Sequence, residues 1–259
     1  MKISRSLPGV LIAAVLGLGL SAVATVSAVT AASAPSVPPA SSPAGDPAAP
    51  VLRPLTNDIA ERVQACTLCH GAQGRATTQG YFPRLAGKPS GYLYNQLQSF
   101  RDGRRHHALM AGLLRNMSDD YLREIAGYFA ALDVPYPAPG PSGLSAEQQA
   151  RAERLILQGD PARKVPACTA CHGPSMAGRE PAIPGLLGLP RDYLVGQLGA
   201  WRSGLRRAHA PDCMADVAKA LSTDDIAVVA SWLAAKPAGA HPEPPSTTPL
   251  PVQCGGLAP

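Results

Sequence analysis

Cys66-Thr67-Leu68-Cys69-His70-Gly71 returns further along the chain as Cys168-Thr169-Ala170-Cys171-His172-Gly173. In a C-x-x-C-H unit both thiols can add to the vinyl groups of one porphyrin, while the next residue, an imidazole, reaches the iron from the same side. A single unit could equally belong to zinc or to thiol redox chemistry. Zinc needs a further ligand pair at regular spacing in each half, and a thioredoxin-like site needs a βαβ setting; the sequence offers neither. The two units predict two covalently bound haem c groups, attached at Cys66 and Cys69 and at Cys168 and Cys171, with His70 and His172 as axial iron ligands.

Outward from these units the duplication continues. Phe82-Pro83-Arg84-Leu85-Ala86-Gly87 pairs with Ile183-Pro184-Gly185-Leu186-Leu187-Gly188. Tyr92, Gln96, Leu97, Phe100, Arg101 and Gly103 pair with Tyr193, Gln197, Leu198, Trp201, Arg202 and Gly204. Met110 and Met214 each stand eight residues before a serine, Ser118 and Ser222, that reads as the N-cap of a last helix. Asp119, Asp120, Asp224 and Asp225 complement the positive end of those helices. Leu122, Ile125, Ala126 and Phe129 then mark one apolar face, as do Ile226, Val229, Ala230 and Leu233. Further helices are predicted over 57–66, 90–102, 145–158 and 191–203, with Ser145 and Gln148 as a capping box. No stretch alternates as a strand does, so the fold class is all-α.

Iron held by one imidazole needs a second axial ligand, and a thioether raises the reduction potential relative to a second imidazole. The repeat points to Met110 and Met214. Met117, whose counterpart is Leu221, and Met176, whose counterpart is Gly74, read as packing residues. His106 and His107 rival Met110, and Cys213 rivals Met214; His209 reads as an exposed loop residue. A ligating imidazole donates its other ring N–H to a carbonyl or carboxylate, and the turns at Pro83 and Pro184 are placed to supply that carbonyl. Arg101, Arg104 and Arg105, with Arg202, Arg206 and Arg207, precede the methionines and read either as partners of haem carboxylates or as a solvated basic edge.

Composition bounds the setting. The chain has 259 residues with 28 Pro, 25 Gly and only 3 Phe, room for two small lobes without rich aromatic cores, and such lobes need a disulfide, metal or cofactor to be stable. Residues 1–34 read as a signal peptide, with Lys2 and Arg5 ahead of an apolar run and small-residue cleavage points; an uncleaved membrane anchor is the alternative reading. Without it Lys+Arg falls from 23 to 21 against 18 Asp+Glu, and haem carboxylates would offset most of that excess. No basic run interleaved with aromatics suggests nucleic acid. Residues 35–54 form a Pro/Ala-rich tether, followed by a first domain over 55–133, a Pro-rich linker over 134–143, a second domain over 144–236 and a Pro-rich tail over 237–259. Outside the haem motifs, Cys213 and Cys254 can form a disulfide in the oxidising periplasm; free thiols, or Cys213 on iron, remain open.

The two haem motifs, the Pro-x-Leu-x-Gly turns, the Tyr/Gln/aromatic/Arg/Gly helices and the Met-then-Ser-Asp endings resemble the cytochrome c4 family of di-haem cytochromes c, over nearly all of residues 55–236. The resemblance implies two tandem class I cytochrome c domains packed together, His/Met ligation at both irons and soluble or membrane-associated electron delivery, commonly to a terminal oxidase. With both axial positions filled, no site is open to substrate, so the chain reads as an electron carrier of a respiratory chain. Its partners are then redox proteins, a membrane oxidoreductase or dehydrogenase as donor and a terminal oxidase as acceptor. Two rival readings are a cytochrome subunit of a dehydrogenase complex, such as a flavocytochrome sulfide dehydrogenase, and a catalytic di-haem enzyme such as a thiosulfate dehydrogenase. The Cys213 and Cys254 pair and the Pro-rich tail depart from the family pattern.

Overall fold

The computed structural model describes residues 58–78, 80–239 and 241–257. The expected signal peptide and tether lie outside these residues. Ten α-helices carry the described chain: α1 (Ile59–Arg62), α2 (Gln64–His70), α3 (Ser90–Arg101), α4 (Ala108–Leu114), α5 (Asp119–Ala130), α6 (Ala146–Leu157), α7 (Cys168–His172), α8 (Arg191–Ser203), α9 (Cys213–Ala220) and α10 (Thr223–Ala234). The only strands among the described residues are β1 (Gly178–Arg179) and β2 (Ile183–Pro184), paired antiparallel with Gly178 opposite Pro184. The chain is all-α, as its sequence predicts.

Local chemistry sets the long helices. Ser118 and Ser222 cap α5 and α10, accepting from the backbone N–H of Tyr121 and Asp225, which satisfies one of the donors every helix start leaves unpaired. Ser145 and Gln148 make the reciprocal capping box of α6. Two segments differ from expectation. The helix expected over 57–66 is two short helices that bend at Val63, and the second runs on through the whole C-x-x-C-H unit to His70. The stretches around Met110 and Met214, which lie outside the predicted helices, are helical too, with His107 and Asp212 capping α4 and α9.

Two separate apolar cores form. In the first, Val63, Leu93, Ile125, Ala126 and Phe129 pack where α3 crosses α5. The second is larger and joins α6, α8 and α10 through Ala152, Leu155, Ile156, Leu194, Ile226, Val229 and Leu233. Met176 is buried in this second core, so packing explains it. Between the two halves the backbone of Arg105 pairs antiparallel with that of Arg206, with His106 N–H donating to Leu205 and Arg207 N–H to Arg104. The stretch after α5 is also anchored: Arg84 donates to the carbonyls of Val134 and Pro135, and its guanidinium lies 3.8 Å from the Tyr136 ring centroid.

Candidate functional sites

Each half brings its two motif cysteines, its motif histidine and its methionine to one cavity. The first cavity, about 450 Å³, is lined by Cys66, Cys69, His70 and Met110; the second, about 210 Å³, by Cys168, Cys171, His172 and Met214. The helix that carries each unit must stop at once after the histidine so that the chain can turn back beneath it. Gly71 and Gly173 make that stop at φ 76° and 82°, a region that strains any residue with a Cβ. At Gly71 an added Cβ would stand 2.3 Å from the carbonyl oxygen of Ala76.

The returning loop fixes the imidazole. Nδ1 of His70 lies 2.8 Å from the carbonyl oxygen of Pro83, and Nδ1 of His172 lies 2.7 Å from that of Pro184. A carbonyl can only accept, so each Nδ1 carries the proton and Nε2 keeps its lone pair, the form in which imidazole binds a metal. Burial pushes both histidines below their ordinary pKa, although the carbonyl acceptor works in the opposite direction. Burial likewise pushes the thiols of Cys66 and Cys171 up and takes that of Cys168 to about 11. Among the described residues no three His, Cys, Asp or Glu side chains cluster as a metal site.

Of the rivals of the two methionines, His107 and Cys213 have other partners, whereas His106 stays on the lining of the first cavity. Nδ1 of His107 accepts from the Met110 N–H and Nε2 meets the Tyr81 hydroxyl at 2.9 Å, so both ring nitrogens are engaged. His106 is exposed. Cys213 is bonded to Cys254 in a disulfide with Cα atoms 5.1 Å apart. Met117 packs against the first core. His209 departs from its expected place: it is half-buried on the lining of the second cavity, 3.4 Å from an Arg104 nitrogen.

The arginines divide into three groups. Arg101 pairs with Asp102 and Asp119, and Arg104 with Asp102. Arg202 reaches the Thr223 hydroxyl, and Arg207 is exposed. Arg105 and Arg206 are buried and meet a pseudo-symmetric set across the halves. Arg105 donates to Gln96, Gln197 and Tyr193, and Arg206 to Gln197, Gln96 and Tyr92. Their guanidiniums lie over the rings of Phe100 and Trp201. Sequence reasoning missed this junction, although the repeated Tyr-x-x-x-Gln spacing puts both side chains on one helix face.

These groups fit a porphyrin that carries carboxylates. Neither Arg105 nor Arg206 has a carboxylate within salt-bridge distance among the described residues. The indole N–H of Trp201 is buried without a hydrogen-bond partner and belongs to the lining of the second cavity. Two buried cations and an orphaned donor beside an apolar cavity are costly unless an acidic group completes them.

No protein-family model matches the chain. It is 38% identical over 174 residues to a thiosulfate dehydrogenase electron acceptor of Thiomonas intermedia, covering 67% of this chain and 79% of that one. It is 36% identical over 174 residues to cytochrome c4 of Pseudomonas aeruginosa, covering 66% and 84%. Among solved structures, reduced recombinant cytochrome c4 from Pseudomonas stutzeri aligns with a TM-score of 0.58 at 30% identity, covering 68% of this chain and 95% of that one. A thiosulfate dehydrogenase (TsdBA) from Marichromatium purpuratum aligns with a TM-score of 0.59 at 34% identity over 66% of this chain; the match spans 36% of that protein's length.

Proposed function

Since the chain belongs to the cytochrome c4 family and is therefore a di-haem c-type electron carrier rather than an enzyme, we propose that it works in the periplasm as the single-electron link between a dehydrogenase and a respiratory chain ending in a terminal oxidase. The observation that carries this reading is the duplicated donor set, a C-x-x-C-H histidine hydrogen-bonded to a prolyl carbonyl with a methionine on the same cavity lining. Cys66 and Cys69 would hold one haem and Cys168 and Cys171 the other, with His70 and Met110, and His172 and Met214, as the side chains that would ligate the two irons. The haem iron, when bound, supplies a one-electron redox couple whose potential is set by its axial ligands and surroundings.

The chain's own residues do the rest. Pro83 and Pro184 hold each imidazole in the ligating tautomer and orientation. Two protein ligands at each iron would leave no coordination position for substrate. Arg105 and Arg206, buried at the junction, would neutralise the haem carboxylates, where a guanidinium fork is strongest. The two cavities share Tyr92, Gln96, Tyr193, Gln197 and Arg206 in their linings, so the two groups would face one common wall.

Relatives named as electron acceptors of thiosulfate dehydrogenase favour that enzyme as the donor. Mixing the oxidised holoprotein with thiosulfate dehydrogenase and thiosulfate should reduce both haems. Failure of either haem to reduce would discard that donor. The ligand assignment is tested apart from it: Met110→Ala and Met214→Ala should each abolish the thioether-to-iron charge-transfer absorption of one haem and lower its potential, and an unchanged spectrum would refute the assignment.

A further inference from the structure

The C-terminal segment is attached in two places, one beside the loop that follows His172 and one beside the start of α9. On the histidine side, Glu243 exchanges backbone hydrogen bonds with Gly178 and Glu180, each at 2.8 Å. Its carboxylate accepts from the N–H and hydroxyl of Ser175 and meets Arg179. The fit is close: a Cβ on Gly173 would stand 2.5 Å from a Glu243 carboxylate oxygen. On the methionine side, Cys254 is bonded to Cys213, the residue that begins α9 and precedes Met214. Gly255 N–H donates to Pro211, and the Asn95 side chain donates to Gly256. Between and beyond these anchors, Leu250, Val252 and Leu257 join the lining of the cavity.

Among the described residues nothing equivalent joins the lining of the first cavity. Its lining ends in Tyr81 and Leu109, which are 63% and 72% exposed. The helix carrying Met110 is capped at its start by the His107 side chain, through a contact of 3.4 Å.

We propose that residues 243–257 are a strap over the second haem pocket, latched by the Cys213–Cys254 disulfide, which keeps small ligands out and holds the Met214 helix in place. The inference rests on the reading of Met214 as an axial ligand. A segment pinned at both ends can expose what it covers only by breaking one anchor. A 41-residue loop closed by a disulfide makes the release of the methionine end the costly one. With the latch open, the methionine end is held only by the hydrogen bonds of Gly255 to Pro211 and of Asn95 to Gly256, and the strap opens by local unfolding.

The test uses oxidised holoprotein and imidazole as the entering ligand. The double variant Cys213→Ser/Cys254→Ser removes the latch and leaves no stray thiol to compete with Cys66, Cys69, Cys168 and Cys171 during haem attachment. Imidazole should displace the thioether at the second haem about tenfold faster or more, the factor equivalent to about 1.4 kcal/mol, with the first haem unchanged. The charge-transfer contribution of each haem is assigned with Met110→Ala and Met214→Ala. Limited proteolysis should cut between residues 244 and 257 in the variant and spare the wild type. Should the double variant fail to fold, folded wild type treated with a small dithiol carries the same test. Two electrons and two protons from the reagent turn the latch into two thiols and leave the reagent as a cyclic disulfide. Alkylation then keeps the latch open before the iron is reoxidised. Equal imidazole rates at the second haem with latch closed and open, or equal cleavage of the tail, would overturn the strap. If Met214→Ala left the spectrum unchanged, the ligand assignment would fail instead.

Discussion

The two halves carry the same motif but keep it in place differently. The first gathers a contiguous core of five buried apolar residues that includes Phe129 and leaves Leu68 84% exposed on α2. The second gathers a contiguous core of thirteen, adds a buried carboxylate network at Asp225 and ties its own tail to the start of α9. A duplicated sequence has thus diverged into one half that depends on what fills its cavity and one that is braced by its own side chains. Core size sets how much of a small lobe's stability must come from elsewhere, so the halves should respond unequally to the same injury.

The largest expected difference follows from losing the haem itself. Cys66→Ala/Cys69→Ala should abolish amide-exchange protection throughout α1 to α5. Cys168→Ala/Cys171→Ala should leave part of the protection in α6 and α10, which pack through residues remote from the motif. Equal loss of protection in the two variants would break the comparison.

Next in size is the removal of a single core side chain. Phe129→Ala should cost about 3–5 kcal/mol, and its counterpart Leu233→Ala should fall lower in the roughly 2–5 kcal/mol range, because the second core has more neighbours to close the hole. Gly74 shows how tightly Phe129 is seated: an added Cβ there would lie 2.9 Å from its ring. Denaturation followed separately in each half by hydrogen exchange checks the order.

Asp225 is the second half's own device. Its side chain is 0% exposed and bonds Arg151, Arg163 and the capped start of α10. Although burial works against the charge, the hydrogen bonds from Arg163, Ser222 and Arg151 hold its pKa at about 2. The unfolded value is higher, so the unfolded chain binds the proton first as pH falls. This contribution is complete above about pH 4, on the order of 2 kcal/mol, and is lost as pH drops through about 2. Asp225→Asn should therefore flatten the acid dependence of the second half between about pH 4 and pH 2 while leaving that of the first unchanged. Both tryptophans, Trp201 and Trp232, lie in the second half, so their emission reports it. A slope unaltered by the substitution would remove Asp225 from the account.

The legibility of these features follows their range along the chain. Haem motifs, serine caps and the Ser145–Gln148 capping box are local, set by residues within a turn of each other, and they could be read directly. The His-to-prolyl-carbonyl contacts, thirteen and twelve residues apart, could be anticipated only because the duplication repeats them. The helices bearing Met110 and Met214 were hidden because they run for only seven and eight residues, about two turns in which an apolar face cannot repeat, and α4 is capped by a histidine. Arg105 and Arg206 meet residues about ninety to a hundred and ten positions away, a distance over which no spacing rule operates. Residue types alone therefore left the choice between haem carboxylates and a solvated edge open.

The smallest effect should come from the two caps that begin the methionine-bearing helices. Asp212 accepts twice, from Ala215 N–H at 3.1 Å and from Ala208 N–H at 2.7 Å. His107 accepts once, at the outer limit of a hydrogen bond, and its other nitrogen is shared with Tyr81. Losing a good cap costs about 0.5–2 kcal/mol. Asp212→Ala should fall toward the upper end of that range and His107→Ala toward the lower. Heating should separate them further, since a frayed helix start moves the methionine sulfur away from the cavity. In Asp212→Ala the disulfide at Cys213 still pins the next residue, so the charge-transfer absorption of the second haem should persist to a higher temperature than that of the first haem in His107→Ala, even though the aspartate is the stronger cap. A reversal of that order would mean that α9 is held by its cap rather than by its covalent tie.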